Sequence, residues 1–242
     1  MKTLVTAAVL VAALVGVSRA DQVYDGIAYP PGLLAGHGPA QGFSAAWLAD
    51  PGVLVTPAGL SSPLDLPSKG GAVSGNFNFQ APLTNLIAPV AGKEFWASFL
   101  LFHSGPNDQT YMGLSAAGSA FGDPPAVGMG VRLGQYGIFI GGAFFPCPKP
   151  FTAAGSTDFL MAHFTASGGT WLVDLYVNNV LLALPDLVMN VPGVTYGTMV
   201  NMNQSEFGSD EFRLGDKVGD VSAFGVTPTA RSTWGQVKKL YR

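Results

Sequence analysis

Along most of this chain, apolar and polar residues alternate with a period of two, in short runs punctuated by Gly, Pro, Asn and Asp. That period puts successive side chains on opposite faces of an extended backbone, so it predicts strands rather than helices. The strongest run is 94–103. Phe95, Ala97, Phe99 and Leu101 fall on one face, and Trp96, Leu100 and Phe102 on the other. Apolar residues on both faces predict a central strand covered from both sides. Residues 170–178 alternate more cleanly, with Trp171, Val173, Leu175 and Val177 inward and Asp174 and Asn178 outward. Asn178-Asn179 then reads as a hairpin turn, with 180–184 as the returning strand. Residues 158–165 form another strand, expected to pair with 170–178 across the turn at 166–169. Weaker runs predict strands at 22–29, 43–48, 72–79, 110–116, 126–133, 137–144, 195–202 and 211–214. About a dozen short strands at this spacing predict an all-β fold: a two-sheet antiparallel sandwich or jelly roll. The Pro-, Ser- and Gly-rich stretch 50–71 reads as a long surface loop, as do 119–125 and 146–156.

The two ends depart from this pattern. Lys2 precedes an apolar run from Leu4 to Val17, and Ser18-Arg19-Ala20 offers small residues where a signal peptidase reads. The run is short of the ~20 residues that a membrane span needs. Residues 1–20 are therefore expected to be a cleaved secretory signal, placing the mature protein outside the cytoplasm. Residues 21–227 are expected to form one sandwich domain. The tail, 228–242, regains a helical pattern: Ser232 or Thr233 would cap it, with Trp234, Val237 and Leu240 on one face. It reads as a docked terminal helix, as a sorting or attachment tail, or as a disordered end.

Composition narrows the class. Hydrophobic residues make up 48% of the chain, which argues against disorder, while 32 Gly and 18 Pro suit many tight turns. The formal net charge of −3 gives no footprint for nucleic acid or anionic lipid. A single cysteine, Cys147, cannot form an internal disulfide, so stability rests on packing, aided at most by a bound ion. Its flanking prolines place it in a loop.

Several segments, in their order, carry a resemblance. They are Val23-Tyr-Asp-Gly-Ile-Ala-Tyr-Pro30, Phe95-Trp-Ala-Ser-Phe-Leu-Leu101 with its strand, Phe159-Leu-Met-Ala-His-Phe164, Trp171-Leu-Val-Asp-Leu-Tyr-Val-Asn178 and Ser209-Asp-Glu-Phe-Arg-Leu-Gly215. The set resembles exported bacterial domains of the laminin-G-like, concanavalin-A-like jelly-roll superfamily. It is most similar to those that carry a PEP-CTERM sorting tail, although the Pro-Glu-Pro, apolar helix and basic cluster of that tail do not occur here. The resemblance implies two antiparallel sheets with the first and last strands adjacent, which would protect an open edge.

Candidate chemistry concentrates in the acidic segment 206–220. Calcium takes six to eight oxygen ligands, usually with several carboxylates. The resemblance implies a structural calcium at the junction of first and last strands, with Asp210 as the leading ligand and Asp25 as the second. On the residues alone another reading stands beside it: both carboxylates bond nearby backbone amides, or Glu211 pairs with Arg213. For glycan binding, Trp47, Tyr111, Tyr136 and Tyr196 lie near turns and are candidate stacking platforms, and Asn201 and Asn203 are candidate hydrogen-bonding residues. Catalysis has less support. Asp210 and Glu211 are adjacent, so a regular strand would send them to opposite faces. His103 and His163 are expected as packed or solvent-edge residues. The expected function is thus a secreted, non-catalytic module for glycan binding, adhesion or matrix construction. The alternative is a polysaccharide hydrolase or lyase using Asp210, Glu211 or Glu206.

Overall fold

A computed structural model describes residues 23–64, 68, 70–105, 109–179, 184–203 and 208–222. The expected signal segment 1–20, the tail 228–242 and Glu206 lie outside these residues. In chain order the strands begin β1 (Val23–Asp25), β2 (Gly32–Leu33), β3 (Leu48–Ala49), β4 (Leu54–Val55), β5 (Val73–Ser74) and β6 (Asn78–Ile87). They continue with β7 (Glu94–His103), β8 (Gln109–Ala116), β9 (Val127–Arg132), β10 (Gln135–Ile140) and β11 (Ala143–Pro146). The last are β12 (Ser156–Ser167), β13 (Thr170–Val177), β14 (Leu187–Pro192), β15 (Tyr196–Asn203) and β16 (Gly208–Gly215), before a single helical turn, α1 (Val218–Val221).

These strands form the two-sheet antiparallel sandwich expected from the alternation. One sheet has nine strands in the order β14-β13-β12-β7-β16-β5-β4-β2, with β1 also paired to β16; the other has seven, β11-β10-β9-β8-β15-β6-β3. Strand β7 spans the residues expected of it and lies between β12 and β16, so it is central. The β12–β13 hairpin turns at 168–169, within the expected stretch. The first and last strands are adjacent, with Tyr24 opposite Arg213 and Asp25 opposite Phe212.

Most of the expected returning strand, 180–184, lies outside the described residues; among those described, the strand that pairs with β13 on this side is β14, beginning at Leu187. Asn178 does not simply turn the chain. Its side-chain carbonyl accepts from the Phe159 amide at 2.8 Å, and its amide donates to Asp158 at 2.6 Å. The expected strand 43–48 shrinks to β3, with Phe43 in an isolated bridge to Leu83. The run 72–79 splits into β5 and the start of the long β6. Strand β6 was hidden in the sequence by Pro82, which stands opposite Thr198 right beside the register shift in the β15 pairing, an irregularity at which a proline is tolerated.

Inward positions of both sheets make the core. Trp47, Phe79, Phe99, Trp171, Tyr196 and Phe212 are among its fully buried side chains. The outer face of the nine-stranded sheet carries a second cluster of Leu100, Phe159, Met161, Tyr176 and Val221. Turn α1 lies over this cluster and is held by the Ser98 hydroxyl donating to the Val221 carbonyl at 2.7 Å. Cys147 is buried, and burial pushes its thiol above the usual range. Among the described residues, no helix is long and apolar enough to cross a membrane.

Candidate functional site

The four aromatic residues singled out as stacking platforms are not presented to solvent, and this corrects the expectation. Trp47, Tyr136 and Tyr196 are at most 1% exposed, and Tyr111 is 6% exposed. Trp47 packs among Phe43, Phe79 and Phe212. Tyr196 stacks on Trp171 at 5.8 Å between ring centroids. Tyr111 lies against Phe139 at 4.8 Å on the outer side of the seven-stranded sheet. Nearness to a turn misled because the inward alternation runs to the strand ends: Tyr136 is the second residue of β10 and Tyr196 opens β15, both facing inward. Asn201 and Asn203 also point inward, each 1% exposed, so they line no open groove.

The acidic junction is built on a bulge. The β16–β7 register shifts between Asp210 and Arg213, and Glu211 there has φ 55°. A bulge gives one strand an extra residue and breaks the strict alternation of faces. The expectation that Asp210 and Glu211 diverge therefore fails. Arg213 is opposite Ser98 and Asp210 is opposite Leu100, both outer positions of β7, and Glu211 reaches Arg213 at 2.5 Å. The Arg213 guanidinium lies 5.3 Å from the Tyr24 ring centroid, and the Tyr24 hydroxyl donates to Glu211 at 3.4 Å. Burial, then the Glu211 charge, push the Tyr24 hydroxyl up to about 12.

Asp25 and Asp210 each have their own set of donors. Asp25 accepts from the Ile27 amide at 2.8 Å, the Tyr29 hydroxyl at 2.7 Å and the Trp47 indole at 2.7 Å. Asp210 accepts from the Leu60 amide at 3.0 Å, the Ser68 hydroxyl at 2.7 Å and the Glu211 amide at 2.7 Å. Carboxylates dressed in N–H and O–H donors do not fit a calcium ion, which needs oxygens turned toward it. Among the described residues, no three of His, Cys, Asp and Glu gather to hold a metal ion.

Burial pushes Asp210 from the ordinary 3.8 up to about 7, against the pull of Ser68 and Leu60. The folded chain thus holds this proton more tightly than the unfolded one. The contribution of Asp210 to stability is greatest below the ordinary value and is lost as pH rises toward 7. Asp210→Asn is expected to flatten the fall of melting temperature between these limits. Equal slopes for the variant and the parent would refute the assignment.

A second buried network surrounds Asp158, which is 1% exposed. Its Oδ2 lies 2.9 Å from His103 Nε2, 2.7 Å from the Tyr136 hydroxyl and 2.8 Å from the Thr152 hydroxyl. Its Oδ1 accepts from Asn178. Burial alone would raise Asp158, but bonds from His103, Asn178, Tyr136 and Thr152 together hold it below the usual carboxylate range. His103 closes β7 and is fully buried, so the expectation of a packed histidine holds.

The accessible chemistry lies on the outer face of the nine-stranded sheet. Register places Asp174, His163 and Trp96 side by side across β13, β12 and β7. The Trp96 and His163 rings stack at 4.0 Å, with 12° between their planes. Tyr176 follows at 6.0 Å from Trp96. His163 Nε2 is 3.3 Å from Glu94, and Nδ1 is 3.8 Å from Asp174. Trp96 and His163 are half-buried and Glu94 is exposed. Of the residues that meet here, Asp174 was legible as an outward position and Trp96 as part of the second face of its strand. Nothing in the sequence placed the tryptophan of one strand against the histidine of another.

No family model and no curated protein matches the chain. Solved structures are similar to it in part. Lectin II from Ulex europaeus is 10% identical, covering 82% of this chain and 99% of its own, with a TM-score of 0.48. The exoplasmic/lumenal domain of VIP36, in a Ca2+/Man-bound form, is 8% identical over 76% of this chain and 88% of its own, at 0.45. A sialidase is 12% identical over 64% of this chain, at 0.43, and the match spans only 16% of the sialidase. Similarity at this level carries no functional weight.

Proposed function

We propose that this chain is an extracellular glycan-recognition module that binds without breaking bonds, with Trp96 and His163 as its sugar-facing surface. One observation carries the reading: a stacked, half-buried Trp–His pair on the outer sheet face, flanked by the carboxylates Glu94 and Asp174. An aromatic face packs against the C–H side of a pyranose, and adjoining carboxylates accept from its hydroxyls. Asp210 and Glu211, the acids a hydrolase or lyase would use, are 0% and 2% exposed and engaged in hydrogen bonds.

An array of plant, algal and microbial polysaccharides tests this. Binding is expected, with Trp96→Ala weakening it roughly tenfold, the equivalent of about 1.4 kcal/mol. Melting temperature is read alongside, because the ring also packs against the outer cluster and the variant has to remain folded for its binding to count. A blank array, or unchanged binding by a folded Trp96→Ala, would overturn the proposal.

A further inference from the structure

The sandwich interior contains polar groups that its own side chains do not satisfy. Asn201 and Asn203 follow one another on the inward face of β15, and Thr110 of β8 stands directly opposite Asn203. Their neighbours are apolar: Met112 and Phe79 flank Asn201, one on each adjoining strand. Asn203 Oδ1 accepts from the Ser209 hydroxyl at 2.8 Å, a bond that crosses from one sheet to the other. The rest of the cluster lacks such a bond. Thr110 Oγ1, both polar atoms of the Asn201 amide and Asn203 Nδ2 have no hydrogen-bond partner among the described residues. All three residues are at most 1% exposed.

Four orphaned atoms on neighbouring positions are costly together. A buried donor or acceptor left unmade forfeits its hydration without recompense, and native interiors hold few of them. The four form a complementary set. The Asn201 carbonyl accepts, the two amide nitrogens donate, and the Thr110 hydroxyl does either. Directly opposed residues in a ladder have Cβ atoms roughly 5 Å apart. Thr110 and Asn203 are thus within reach of each other, yet their orphaned atoms make no bond; a bridging molecule with both donor and acceptor character completes the set. Buried waters typically make about three such bonds.

We propose that Thr110, Asn201 and Asn203 form an internal site for ordered water, which bridges β8 and β15 and extends the Asn203–Ser209 link between the sheets. The occupant is small, uncharged and able both to donate and to accept, since Phe79 and Met112 leave no countercharge for an ion. This site is separate from the outer face proposed for glycan and stands whether or not that face binds sugar.

A high-resolution crystal structure of the intact protein tests it directly. Water density within hydrogen-bond distance of Asn201 and Thr110 is expected; a dry cluster, or side chains rotated to satisfy one another, would overturn the proposal. Thr110→Val, which keeps shape and removes the hydroxyl, gives an independent reading in solution. If water is bound, the variant removes one of its anchors, and melting temperature falls by roughly 2–4 °C, the equivalent of about 1 kcal/mol. If the site is dry, the variant removes an unsatisfied hydroxyl and melting temperature rises. A rise or no change counts against the site.

Discussion

Replacing Asp158 with alanine is expected to cost about 3–5 kcal/mol of stability, because the loss strands several buried donors at once. Tyr136, Thr152 and His103 all converge on Oδ2, and Asn178 donates to Oδ1. The variant leaves these groups in a core too tightly packed to admit solvent freely. Denaturant unfolding measures the loss. Asp158→Asn should cost much less. It keeps an acceptor where three donors meet, and it loses only the Asn178 bond, which cannot be rescued by a flip while Asn178 Oδ1 holds the Phe159 amide. The parent should also show an acid limb. Asp158 is held below its unfolded range, so its contribution is complete above the ordinary carboxylate value and disappears as pH falls through the folded one. A loss under about 1 kcal/mol for the alanine variant would show that the network is not the anchor it looks to be.

Trp47→Ala is expected to be of similar size, about 3–5 kcal/mol, through the cavity left by a large core ring. Trp47 touches Phe43 at 5.1 Å, Phe79 at 5.5 Å and Phe212 at 5.9 Å between centroids, and its indole N–H satisfies Asp25. Burial already raises Asp25 above the usual carboxylate range, and the loss of this donor raises it further. Trp47→Phe separates the two contributions: most of the packing remains while Asp25 keeps only its bonds from Tyr29 and Ile27. The measurement also discriminates between roles. A residue that served a ligand from the surface would lose binding with little change in melting temperature. Trp47 is expected to do the reverse.

The architecture was largely legible from the period of two. Strand β7, with apolar residues on both faces, was central as expected, and the β12–β13 hairpin paired across the turn its residues marked. The adjacency of first and last strands, implied by the resemblance, is observed. Less was legible at the site. Whether Tyr136 faces solvent depends on which sheet covers β10, and that is a long-range fact invisible in ten residues of sequence. The bulge at Glu211 was hidden for a similar reason. Its φ of 55° is imposed by the registers on either side of β16, not by a glycine or asparagine that would have announced it. Trp96 was placed on the correct face, but its partnership with His163 exists only through the β7–β12 register.

The clasp between β1 and β16 has a consequence for the order in which the molecule is made. Tyr24 meets Glu211 across 187 positions, and Val23 meets Leu214. Strand β1 therefore stays without β16 until nearly all of the chain has emerged. Topologies dominated by such distant partners fold slowly. The hairpins β12–β13 and β9–β10 can form early, while the amino-terminal strand has to wait for its seat.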